Sequence, residues 1–195
     1  MNGVISRLLL EHRNLGKLLG LLDRFPVNRN DPTLDEITLL ADVFSYLTCF
    51  PDLRHHPLEV RIVARLRTRN ALMADIGDEI DRQHQVLARQ GADLMRDLES
   101  AARAETTSWP AVAGNARLYA ERLRHNMAVE ELALFPVADE VLDAADWRAI
   151  VTASPGQAPA DPLFVLQTER RFAELRRVIV AEAGCDCLQK PAADG

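Results

Sequence analysis

The chemistry this chain can offer rests on five histidines and a few acids. His55 and His56 are adjacent, and Glu59 follows within one helical turn. Residues three and four apart share a helix face, so either imidazole can converge with Glu59 on one point. The other three histidines, His12, His84 and His125, each lie in a separate stretch of helical periodicity, and Glu130 follows His125 by five residues. Convergent imidazoles and carboxylates are the donor set of a transition metal ion.

Four stretches must position these groups. Val4 to Arg24 carries apolar residues at three- and four-residue spacing, and His12 falls between Leu8 and Leu15 on the apolar side. A second helix starts near Thr33 or Asp35, either of which can cap it, and runs to Leu66. Pro51 predicts a kink or break in it between Phe50 and Pro57, beside the histidine pair. A third helix, from about Asn70 to Ala101, places His84 between Ile80 and Leu87. The fourth opens at Trp109-Pro110 and carries His125 and Glu130. Five residues subtend about 140° on a regular helix, so these two align only if a turn widens into a π-bulge; otherwise Glu130 and Glu131 are surface acids. Asp143 to Trp147 reads as a turn and new start, residues 153–162 as a Pro/Gly/Ala linker, and Leu163 to Ala183 as a fifth helix.

Composition narrows the class. The chain has 195 residues, 48% of them hydrophobic, with few aromatics or glycines, which predicts one all-α domain with a small C-terminal appendage. The net charge of −6, with both signs interspersed, gives no footprint for nucleic acid. No stretch approaches the roughly 20 apolar residues of a spanning helix, and the N-terminus lacks the pattern of a signal peptide. No membrane partner and a cytoplasmic location are therefore expected. Cys49, Cys185 and Cys187 make no disulfide framework; Cys185 and Cys187 are an incomplete metal site and read as a solvated tail.

An isolated inward histidine is usually a satisfied core residue. Four, one per helix, predict an up-down four-helix bundle with a metal centre in its core. Four imidazoles and two carboxylates exceed what one zinc uses. They suit two ions bridged by both carboxylates and a solvent oxygen; mixed nitrogen and oxygen ligation favours iron, with manganese or zinc behind it.

His12, then Phe50-Pro51-Asp52-Leu53-Arg54-His55-His56-Pro57-Leu58-Glu59, then His84, then His125 with Glu130-Glu131 and Leu134-Phe135-Pro136, resembles the bacterial hemerythrin-like, HHE cation-binding proteins. The resemblance spans residues 1–145, with 146–195 as linker, extra C-terminal helix and tail. It implies a hemerythrin-type bundle holding a non-haem di-iron centre that binds oxygen, peroxide or nitric oxide. The implied metal ligands are His12, His55, Glu59, His84, His125 and Glu130. Oxygen-carrying hemerythrins place two histidines four apart on the third helix; here positions 80 and 88 are Ile80 and Ala88, so one iron loses an imidazole unless His56, Tyr46 or another oxygen donor substitutes.

Binding or sensing of a small molecule, with peroxide scavenging or iron storage as related activities, is the leading expectation. Catalase-like or oxidase-type catalysis is its enzymatic form. The alternative is an iron-responsive regulatory module whose C-terminal helix contacts a second copy or another protein. A metal-free bundle would bury these groups unligated, at about 1–3 kcal/mol for each unpaired one. No nucleophile triad or phosphate loop points elsewhere.

Overall fold

The computed structural model describes residues 1–24, 32–103, 108–153, 161–165 and 167–183. Every regular element among them is helical. The helices are α1 (Gly3–Arg24), α2 (Leu34–Phe50), α3 (His56–Thr68), α4 (Ala74–Ala102), α5 (Trp109–Val129), α6 (Phe135–Val141), α7 (Ala144–Thr152) and α8 (Ala173–Ala183). A π-helical turn, Pro51–His55, joins α2 to α3, and a second, Glu130–Leu134, joins α5 to α6. The described residues therefore make four long helical spans, 3–24, 34–68, 74–102 and 109–141, packed as a four-helix bundle.

Local chemistry sets the ends. Thr33, rather than Asp35, caps α2: its hydroxyl accepts from the Glu36 amide while Glu36 reaches back to the Thr33 amide, a full capping box. Asn70, at φ 52°, adopts the left-handed conformation that ends α3, and the Ala71 amide returns to the Leu66 carbonyl. The third span consequently begins at Ala74 rather than near Asn70, and Met73 is exposed.

Both widened turns end two residues before a proline, Pro57 in one case and Pro136 in the other. Proline brings no N–H, and its ring crowds the carbonyl four residues back. The helix answers with longer bonds: the His56 amide donates to the Pro51 carbonyl and the Phe135 amide to the Glu130 carbonyl. The expected kink or break near Pro51 is thus a π turn within continuous helix.

Two apolar clusters fill the interior. One joins Leu15, Leu18, Phe50, Leu87, Tyr119, Leu123 and Met127 with Leu163, Phe172, Leu175 and Ile179 of the C-terminal segment. The other joins Ile5, Leu8, Leu58, Ile62, Ile80, Leu134 and Phe135 with Trp147 and Ile150. Each fully buried large side chain contributes about 1.5–3 kcal/mol. Gly91 lets α4 approach α2: a Cβ there would lie 2.5 Å from Thr48 Cγ2.

Beyond the bundle, α7 is pinned to α3 by the buried Asp146, which accepts from Arg65 Nε at 2.5 Å and Arg69 at 2.7 Å. The boundary expected at 145/146 falls inside α7, whose capping box is Asp143 with Asp146. The expected helix from Leu163 to Ala183 is regular only from Ala173, after a 3₁₀ turn at Arg170–Phe172. Before it, Asp161 Oδ1 accepts from the Leu163 and Phe164 amides, and the Glu169 amide donates to the Pro162 carbonyl, which closes a loop. Cys185 and Cys187 lie outside the described residues. Among those described, no helix is long and apolar enough to cross a membrane.

Candidate metal centre

The gap between the two apolar clusters is filled by a polar layer. His12 lies between Leu8 and Leu15, His84 between Ile80 and Leu87, Glu130 between Met127 and Leu134, and His55 with Glu59 between Phe50 and Ile62. Every span of the bundle thus delivers a donor at the same level. His12, His55, Glu59 and Glu130 are all buried, with donor atoms within 4.8 Å of one another, and His56, Glu59 and His84 form a second such group. Glu59 belongs to both.

The distances show how the layer is arranged. His12 Nε2 lies 2.9 Å from His55 Nε2 and 3.3 Å from Glu130 Oε2. His55 Nε2 is 2.9 Å and His12 Nε2 3.6 Å from Glu59 Oε1. On the far side His84 Nε2 is 3.4 Å from Glu59 Oε2 and 3.2 Å from Glu130 Oε1. Separations near 3 Å are those of neighbouring ligands each about 2.0–2.2 Å from a shared ion.

The outer edges of the first two rings are held by acids. His12 Nδ1 is 2.8 Å from Glu131 Oε1, and His55 Nδ1 is 2.8 Å from Glu11 Oε2. An ionised carboxylate only accepts, so each Nδ1 carries a proton, and in the neutral ring each Nε2 turns a lone pair inward. Two Nε2 atoms 2.9 Å apart, beside a fully buried Glu59 whose oxygens have no hydrogen-bond partner of good geometry, call for a cation, protons or a metal ion, between them. Carboxylate–imidazole–metal relays have this form.

Protons show the same demand. Burial pulls the His12 imidazole down, but Glu130 and Glu59 lift it to about 10. Burial likewise opposes charge on His55 and His84, and the surrounding carboxylates raise each to about 9. Burial pushes Glu59 up, and the imidazoles around it hold it well below the usual range. Glu11 is pushed up by burial and held low by His55 and Arg7.

Not every expected ligand arrives. His125 is exposed and lines a surface groove of about 320 Å³ with Glu79, Arg82 and Glu121. The π turn that would have aligned it with Glu130 does form, but C-terminal to Glu130, so α5 stays regular between the two and the 140° offset persists. The residue one place on, Asn126, takes the inward position four before Glu130; it is buried, and its Nδ2 donates to Glu130 Oε1 at 2.5 Å. The Tyr46 hydroxyl is engaged elsewhere, donating to Asp161 Oδ2 at 3.1 Å. His55 and His56 both face the layer, from opposite sides of Glu59. Sequence reasoning missed Glu11, Glu131 and Asn126. Their signal was the i−4 spacing of Asn126 from Glu130 and an acid adjoining a ligand residue in each other case.

The profile of the hemerythrin HHE cation binding domain matches residues 3–138. This chain belongs to the hemerythrin HHE family. The matched span takes in every donor named above, and the polar layer is a buried His/Glu cluster whose donor atoms lie close enough together to hold a metal ion. Comparison with curated proteins and with solved structures returned no match.

Proposed function

We propose that this HHE domain holds two non-haem iron ions and binds oxygen, peroxide or nitric oxide, as a sensor, scavenger or store. One observation carries the reading: His12 Nε2 and His55 Nε2 face each other at 2.9 Å with their outer nitrogens committed to Glu131 and Glu11. The proposed ligands of the first ion are His12, His55, Glu59 and Glu130. The far oxygens of Glu59 and Glu130, both turned to His84, provide for a second. Four carboxylates, Glu11, Glu59, Glu130 and Glu131, contact these imidazoles and match the charge of two divalent ions. Imidazole and carboxylate donors without thiolate favour iron, then manganese.

Iron held by these residues would supply one-electron chemistry toward a small molecule. The chain does the rest. Glu11 and Glu131 fix the imidazole tautomers, Asn126 steers Glu130, and Phe135, its ring 5.5 Å from that of His12, closes the layer against water together with Ile5, Leu8 and Ile62. Iron-loaded protein should change its near-ultraviolet and visible spectrum on exposure to oxygen, peroxide or nitric oxide. An iron-loaded protein indifferent to all three would refute the small-molecule reading.

A second reading, an iron-responsive regulatory module, has its own support. Glu11, which holds His55, sits close enough to Tyr46 to raise its phenol after burial and Asp161, and Tyr46 binds Asp161 at the start of the C-terminal segment. If metal removal mainly deprotects residues 163–183 in hydrogen exchange, this reading gains over the first.

A further inference from the structure

We propose that the two ions are held unequally, and that His56, stacked on His84, supplies the ligand that makes the second position a site. The inference rests on the two-ion reading above and adds to it the residue, and the order of filling, that set the second ion apart.

Helix phase is the starting point. Glu59 is four residues from His55 and three from His56, so it lies about 40° beyond one and about 60° short of the other around the helix. A single turn of α3 therefore places one carboxylate between two imidazoles. The structure realises this: His55 Nε2 approaches Glu59 Oε1 at 2.9 Å, whereas Oε2 is turned to His84 at 3.4 Å. His56 joins His84 on that second side, with ring centroids 4.0 Å apart and planes at 21°. A donor nitrogen of each lies within 4.8 Å of the other and of Glu59. The layer thus has two lobes sharing Glu59, with Glu130 reaching both.

The lobes differ in burial and charge. His12, His55, Glu59 and Glu130 are 3% exposed or less. Both imidazoles of the first lobe are oriented from behind by an acid. In the second lobe the His84 side chain is 10% exposed and His56 is only partly buried, and the two carboxylates are already shared with the first ion. A cation there has less negative charge to itself and a shorter path to solvent. It binds later and leaves sooner, and the more open lobe is where an outside molecule reaches the centre. His125, the imidazole expected from α5, cannot help, since Asn126 occupies the inward position; His56 fills the donor count from the other side.

Cobalt(II) titration of the full, metal-stripped chain, read by visible absorption and by equilibrium dialysis, tests this. Wild-type protein should take up two ions in two steps, the second at least tenfold weaker. His56→Ala should abolish the second step and leave the first within threefold. His56→Gln, which keeps the volume and returns an oxygen donor, should restore part of it. Both variants should keep the wild-type urea midpoint in chelator, because His56 is half-buried. Two ions bound to His56→Ala with unchanged affinities would overturn the inference and leave the two-ion reading intact. Two equal or concerted steps in the wild type would overturn the inequality alone. No cobalt bound by wild-type protein would overturn the metal reading itself.

Discussion

The neighbours His125 and Asn126 make opposite predictions on replacement by alanine. Asn126 is 1% exposed and donates to the Glu130 carboxylate at 2.5 Å. Truncation removes a hydrogen bond to a charged acceptor, about 1.5–3 kcal/mol, and at about 2–4 °C per kcal/mol for a chain of this size lowers Tm by about 3–12 °C. It also frees Glu130 to leave the ligand geometry. Loss of such an outer partner costs about 10–100-fold in metal affinity. His125 points into solvent, and its loss should stay within about 0.5 kcal/mol with metal binding intact. Urea unfolding in chelator gives the first quantity, and titration with ferrous iron under anaerobic conditions gives the second. If His125→Ala strips the metal while Asn126→Ala keeps it, the register of α5 around Glu130 is wrong, and with it the assigned ligand set.

Three other outcomes are expected. Iron affinity should rise by about tenfold per pH unit for each proton displaced between pH 6.5 and 8.5, because His12, His55 and His84 hold protons up to about 10, 9 and 9; the same raised values stabilise the metal-free fold fully below about pH 6.5 and lose that contribution as pH climbs through 9 to 10, so a flat affinity profile would contradict the site. Gly91→Ala, which on an exposed helix would stabilise by about 1 kcal/mol, should instead destabilise by about 1–3 kcal/mol through overpacking on Thr48, with Thr48→Ser in the same chain relieving it in thermal melts. Asp146→Ala should lower Tm at neutral pH by loosening α7 from Arg65 and Arg69; burial pushes this carboxyl up, but the two arginines hold it below 3.8, so the difference from wild type should shrink as pH falls below that value.

Helix identity was legible because four apolar stripes at helical spacing are separated by short polar breaks, the first of them marked by Pro26, Asn28, Asn30 and Pro32. The inward placement of His12, His84 and the His55–Glu59 pair was legible for the same reason, since each sits in phase with its stripe. Two features escaped. The π turns were visible as prolines, but a proline constrains a widened turn to lie on its N-terminal side, and in the second span that puts the widening after Glu130, where it cannot rotate His125 inward. The acids behind the imidazoles escaped because Glu11 and Glu131 lie off the apolar stripes. Glu131 has a 43% exposed side chain that still reaches His12, a reach that periodicity does not encode. The C-terminal segment was overcounted as helix because Asp161 and Pro162 organise the first residues of an apolar run into a loop.

The central claim, that the polar layer is a two-iron site organised by His12 and His55, is tested most directly by elemental analysis of protein produced with added iron, alongside His12→Ala. The expected result is two irons per chain in the wild type and loss of at least the first ion, with a fall in Tm, in the variant. A wild-type protein that folds and melts identically with and without chelator and carries no metal, or a His12→Ala protein that keeps both irons, would contradict it.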